Sequence, residues 1–169
     1  MTILKVVESP DNLLRQKSKT VTTFGPELES FISDMFETMY HESGAGLAAV
    51  QVGHLKRIFI TDISRENTSP LIFINPEITY ESPNKIEFNE GCLSFPGGRL
   101  LIERPEVVTV KYQDVMGETK EITVDDWLSR AVQHENDHLD GVLLVDYVSK
   151  LKADILKKKV SKHQKARNE

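Results

Sequence analysis

At 169 residues the chain has room for one domain with a buried core, and 39% hydrophobic with 28% charged residues is ordinary for a globular protein. No apolar run approaches the roughly 20 residues of a membrane helix, and the apolar start (Ile3, Leu4, Val6, Val7) is too short for a secretory leader, so cytoplasm is the expected location and no membrane partner is expected. One cysteine excludes an internal disulfide, and a formal net charge of −5 offers no overall basic footprint for DNA.

In chain order, the segment from Met1 to Glu8 is predicted as a strand, and Pro10-Asp11 opens a short helical turn through Leu13, Leu14 and Arg15. A helix is expected from about Pro26 to His41, where Leu28, Phe31, Ile32, Met35, Phe36 and Met39 recur at three- and four-residue steps. It stops in Glu42-Ser43-Gly44-Ala45-Gly46. The small-residue run from Gly44 to Gln51 has two readings. It is a tight turn entering a buried strand, or an exposed backbone that pairs with an extended peptide while Gln51 donates a hydrogen bond to a developing oxyanion.

The middle of the chain reads as β. Residues 57–61, 71–75, 77–80, 107–112 and 121–124 are rich in Ile, Val, Phe, Thr and Tyr. Turn signals separate them at Asn75-Pro76, Ser82-Pro83-Asn84, Pro96-Gly97-Gly98 and Met116-Gly117. Asp125 or Asp126 caps a second helix that runs to about Leu139 and ends at Gly141. A third helix covers roughly Ser149 to Gln164, with Val148, Leu151, Ile155, Leu156 and Val160 as its apolar side. The expected class is α+β, with largely antiparallel sheets packed around the second helix and with an N-terminal and a C-terminal helix. Residues 1–147 read as a catalytic unit and 148–169 as a basic helix and tail of the same domain.

The chemistry starts on the second helix, in His134-Glu135-Asn136-Asp137-His138. Residues four apart on a helix project from one face, so both imidazoles can reach one metal, and Glu135 can serve as general acid/base for a water there. A catalytic site of this type needs a third protein ligand and one open position. Two familiar completions fail: Gly141 fits the metzincin pattern but Leu144 stands where its last His belongs, and no Glu lies between Glu135 and Glu169 to complete a gluzincin. Cys92, preceded by Gly91 and followed by Leu93-Ser94-Phe95-Pro96, is the best third ligand; Asp146 and Asp154 remain further donors. Ligand chemistry alone points to zinc.

From Lys150 onward eight Lys or Arg face two acidic residues, a net +6 that leaves −11 on the first 149 residues. By charge alone this is a solvated helix face; the alternative is a contact for a polyanion.

Taken together, GAGLAAVQ (44–51), EGCLS (90–94) and QHENDH (133–138), after a leading Ser-Pro-Asp-x-x-Leu (9–14), resemble the ordered signature motifs of peptide deformylases over nearly the whole chain. The resemblance implies removal of the formyl group from the initiator methionine of N-formylmethionyl nascent peptides. It implies Cys92, His134 and His138 as metal ligands and Glu135 as acid/base. Gln51 and the Leu93 N–H would bind the oxyanion, and Gly44 to Gly46, Gly46 above all, would meet the peptide backbone. Glu90, Arg99 and Gln133 would support the site, and Ala45, Trp127, Arg130 and Ala131 would border the methionine pocket. The family's metal is typically Fe(II), with zinc, nickel or cobalt as replacements, and its C-terminal helix can dock on the ribosome near the exit tunnel. Ala45 and Gly97-Gly98 stand where many relatives carry larger residues, which bears on pocket width and substrate ranking.

Overall fold

The computed structural model describes residues 2–169. Helix α1 spans Pro26–His41, as its apolar stripe requires, with Pro26 at the first helical position. Strands β1 (Gly46–Ala48), β2 (Ile58–Thr61), β3 (Leu71–Glu81), β4 (Lys85–Glu90), β5 (Leu100–Pro105), β6 (Val107–Gln113) and β7 (Thr119–Asp125) lead into α2 (Asp126–Leu139), and α3 (Lys150–Arg167) closes the chain. Five strands form one antiparallel sheet in the order β1-β2-β3-β6-β7, and β4 and β5 form a separate antiparallel hairpin. The class is α+β, as expected.

Side-chain alternation along β2 explains how both faces of the large sheet are covered. Ile58 and Ile60 join Leu28, Ile32, Met35 and Met39 of α1, whereas Phe59 joins Phe73, Val108, Val110 and Val124 against Val132 and Leu139 of α2. All four β2 residues are therefore buried. A third cluster joins Leu100 and Ile102 of β5 to Phe95, Leu143, Leu144 and Val145, and to Ala153, Leu156 and Val160 of α3. Thus α1 and α2 clasp the sheet, while α3 rests on the hairpin and its connecting loop.

Several expectations need correction. Residues 2–8 are not a strand; Leu4 N–H donates to Thr38 Oγ1 (2.8 Å) and Val7 N–H to the Gln51 carbonyl (2.7 Å), so this backbone is tied down singly rather than in a ladder. Met1, included in that expectation, lies outside the described residues. Asn75-Pro76 is not a turn between two strands but an irregularity within β3. Asn75 takes φ 50° there, and its amide bonds Val21 N–H, the Val21 carbonyl and Gln113 Oε1, which compensates the broken ladder. On α3 the buried side is Ala153, Leu156 and Val160, while Leu151 (71% exposed) and Ile155 (46%) face outward. Among the described residues, no helix is long and apolar enough to cross a membrane.

The two leucine-like positions of α3 should therefore differ sharply on truncation. Leu156→Ala should cost about 2–5 kcal/mol in a denaturant titration, and Ile155→Ala no more than about 0.5 kcal/mol.

Candidate metal centre

The hairpin β4–β5 and the helix α2 bring three metal-ligating side chains together. Cys92 sits in the loop joining the two hairpin strands, in a turn closed by Phe95 N–H donating to the Cys92 carbonyl (2.9 Å). His134 and His138 lie one turn apart on the buried face of α2, their rings 5.2 Å apart. The ligand atoms of Cys92, His134 and His138 all lie within 4.8 Å of one another, and Cys92 Sγ stands 3.3 Å from His138 Nε2. A tetrahedral metal with ordinary sulfur and nitrogen bonds places its ligand atoms roughly 3.3–3.6 Å apart, so this donor set fits one divalent ion.

A frame behind the ligands orients them. Glu90, 0% exposed, takes His134 Nδ1 at 2.9 Å, which leaves Nε2 for the metal side. Arg104, 2% exposed, grips the same carboxylate through Nε (2.6 Å) and Nη2 (3.0 Å). Its Nη1 reaches Asp137 (3.0 Å), to which the Tyr147 hydroxyl also donates (2.6 Å). Gln133 Nε2 donates to the Pro105 carbonyl (2.9 Å) and ties α2 to the end of β5. On the opposite side Gln51 Nε2 donates to Ser94 Oγ (3.1 Å) and lies 3.5 Å from Cys92 Sγ, while Gln51 Oε1 accepts from Ala48 N–H (2.9 Å).

Burial and neighbouring charges act differently on the titratable groups of this cluster. Burial works against a charge on His134, yet its hydrogen bonds to Cys92 and Glu90 and the nearby Glu135 carboxylate prevail and push its pKa up to about 10. Burial and the charge on His134 hold His138 well below the usual histidine range. The two imidazoles thus differ, one favouring its charged form and the other its neutral form. Glu135 is pushed up to about 7, mainly by burial, with the charges of His134 and Arg130 opposing. Its Oε2 is buried without a hydrogen-bond partner, and Oε1 is 3.6 Å from His134 Nε2. A carboxyl near neutrality beside the ligand cluster can both take and return a proton.

The cluster opens into a cleft of about 500 Å³ between two small-residue rims, Ser43 to Gly46 on one side and Pro96 to Gly98 on the other. Arg99, Arg130, Ala131, Leu93 and Glu135 are also part of the lining. Strand β1 is the sheet's edge, and among the described residues only β2 pairs with it, so its other edge is available to an extended chain. A Cβ on Gly46 would stand 2.8 Å from Glu135 Cγ, so only glycine lets this strand approach Glu135 this closely.

The structure also separates some residues grouped by sequence. Trp127 is not in the lining; its ring packs on Phe88 (5.3 Å between centroids) and carries the Arg130 guanidinium at 5.5 Å. Glu90 lies beneath His134 rather than against the cleft. Arg99 reaches back to the Asn89 carbonyl (2.6 Å) from the rim. Asp146 is engaged by Arg15 (2.6 and 3.0 Å), and neither it nor Asp154 belongs to the ligand group. Motif spacing does not mark Arg104, Asp137, Tyr147 or Ser94, although Arg104 carries a signal: it continues the buried Leu100, Ile102 alternation of β5, where an arginine needs a buried partner.

The family model described as Polypeptide deformylase matches residues 3–154. A peptide deformylase of Rickettsia akari (strain Hartford) is 46% identical over 169 residues, spanning 96% of this chain and 97% of the relative. One from Zymomonas mobilis subsp. mobilis is 42% identical over 175 residues, spanning 100% and 99%. Among solved structures, a peptide deformylase from Legionella pneumophila superposes with a TM-score of 0.96 at 40% identity, covering 99% of this chain and 98% of that one. A peptide deformylase from Ehrlichia chaffeensis in complex with actinonin gives 0.92 at 40% identity, covering 96% and 98%.

Removing the guanidinium behind the ligands should expose the frame's role. Arg104→Met leaves the Glu90 carboxylate buried without its counter-charge and should cost about 3–5 kcal/mol in urea unfolding. It should also weaken metal binding by about 10–100-fold in a chelator competition titration, because His134 loses its fixed acceptor.

Proposed function

Since the chain belongs to the peptide deformylase family of metal-dependent hydrolases, which remove the formyl group from N-formylmethionyl peptides, we propose that it performs this reaction with Cys92, His134, His138, Glu135, Gln51 and Leu93. The observation that carries this assignment is the convergence of the three ligand atoms beside the buried Glu135 carboxyl, whose Oε2 has no hydrogen-bond partner among the described residues.

Cys92, His134 and His138 would hold the metal, which when bound supplies a Lewis acid for the formyl group and lowers the pKa of the attacking water. The open edge of β1 at Gly46 would bind the peptide backbone as an added strand, with Gly44 and Ala45 beside it. Ala45, Arg130 and Ala131 would border the methionine side chain, Arg130 through its aliphatic stem, with Trp127 supporting Arg130 from behind. Arg99 would lie along the outer part of the cleft. Glu135 takes the proton released as water oxygen bonds to the formyl carbon. The Gln51 side-chain N–H and the Leu93 backbone N–H then face the oxygen as it becomes anionic. Glu135 returns its proton to the departing amine, the C–N bond breaks, and formate leaves.

Fe(II) is our assignment for the native metal, by likeness to the family, with zinc, nickel or cobalt as functional replacements. We place the protein in the cytoplasm and read residues 148–169 as part of the catalytic domain. The polyanion reading of α3 is supported by its seven lysines, all exposed and none in an ion pair among the described residues. They would meet the ribosome near the exit tunnel.

Glu135→Gln should lower turnover of formyl-Met-Ala by about 10²–10⁴-fold while bound metal, measured by elemental analysis, stays unchanged. An active variant would sink the proton-transfer assignment. For α3, Lys157→Gln/Lys158→Gln/Lys162→Gln should reduce ribosome co-sedimentation, and the loss should be mimicked by added salt in the unaltered protein. Unchanged sedimentation would return the helix to a solvated surface.

A further inference from the structure

Segment 7–9 runs between the metal centre and the last turns of α3, and it is bonded to both. Towards the centre, Val7 N–H donates to the Gln51 carbonyl (2.7 Å), Ser94 Oγ donates to the Val7 carbonyl (2.7 Å), and Ser9 N–H donates to the Ser94 carbonyl (2.8 Å). Towards α3, the Glu8 carboxylate takes both guanidinium nitrogens of Arg167 (2.7 and 2.8 Å). Gln164 Nε2 bonds Glu8 Oε2 (2.9 Å) and the Ser9 carbonyl (3.0 Å). The helix comes this close because the loop beneath it is Gly97-Gly98. A Cβ on Gly97 would stand 2.8 Å from His163 Cβ, and one on Gly98 would run into Leu156 Cδ1.

Ser94 is the hinge of this chain of bonds. Fully buried, its hydroxyl has one proton, and that proton goes to the Val7 carbonyl. The oxygen is thereby oriented to accept from Gln51 Nε2 at 3.1 Å, which turns the other amide proton of Gln51 towards Cys92 Sγ (3.5 Å) and the metal side. Should segment 7–9 drift, the hydroxyl loses its acceptor, and the amide is left with only the Ala48 N–H on Oε1 (2.9 Å) and the long contact to Cys92 Sγ to fix it. We propose that Gln164 and Arg167 are positioning residues for the deformylation reaction: by gripping Glu8 they hold segment 7–9 against Ser94, and Ser94 aims the Gln51 amide. The proposal rests on Gln51 acting as an oxyanion donor. The Arg167 side of the grip is half-exposed and Glu8 is partly covered, so the pair adds little to stability and its effect lies in geometry rather than in folding.

The test uses full-length, metal-loaded enzyme carrying Gln164→Ala/Arg167→Met. On formyl-Met-Ala, kcat should fall about tenfold with KM within about twofold, since the donor acts in the transition state. Tm should change by no more than about 2 °C, metal content should not change, and the Val7 and Ser9 amides should exchange with solvent faster. Glu8→Gln, which keeps an acceptor for Arg167, should retain most of the rate. In a Ser94→Ala background the same double substitution should cost less than about twofold, because the route to Gln51 is already cut. Full kcat in the double variant, or an undiminished loss in the Ser94→Ala background, overturns the proposal. If Gln51→Ala itself turns over normally, the oxyanion assignment fails and takes the proposal with it; if only Gln51→Ala is impaired, that assignment stands and the grip is refuted.

Discussion

The Glu90–Arg104 ion pair is the constraint on which the centre depends. Two opposite charges buried at 0% and 2% exposure are expensive to desolvate, and apolar residues of like volume would serve stability as well or better. What apolar residues would not do is hold an imidazole by its Nδ1. Glu90 sits at the end of β4, Arg104 near the end of β5, and His134 on α2, so the bidentate contact joins the two hairpin strands while the Glu90–His134 bond ties them to the helix and selects which ring nitrogen faces the ligand cluster. Asp137 and Tyr147 extend the lock by a further turn of α2 and the segment before α3.

Around that lock, each packed unit delivers one chemical part. The cluster between the sheet and α2 fixes the helix that carries both imidazoles and Glu135. The cluster beneath α1 includes Leu47 and so fixes the edge strand at Gly46 against Glu135. The cluster under α3 includes Phe95 and the partly buried Cys92, and it fixes the loop that presents the thiol. Rigid elements converge on a cleft whose rims are nearly bare of side chains, so the backbone of an extended substrate can lie close to the reacting centre.

The sequence disclosed the periodic parts and the chemistry, and hid the frame. Helix α1 was legible because its stripe is regular and Pro26 marks its start; α2 was legible through Asp125 and Gly141. The histidine pair followed from helical spacing, and Cys92 from the failure of other completions. Strands β4 and β5 were passed over because one face of each carries Lys85, Glu87 and Glu103, which mask a short alternation of buried residues. Arg104 was lost with them, since its meaning depends on a contact with Glu90 fourteen residues away. Leu151 and Ile155 misled because they share the helical period of α3, but the surface beneath that helix accepts only the Ala153, Leu156, Val160 side.

We propose that one thiolate and two imidazoles hold a single metal in this frame. X-ray absorption on the zinc-loaded protein addresses it directly. One sulfur at about 2.3 Å and two histidine nitrogens at about 2.0–2.1 Å are the predicted protein ligands. A shell of nitrogen and oxygen alone, or one unchanged by Cys92→Ala, would contradict the assignment.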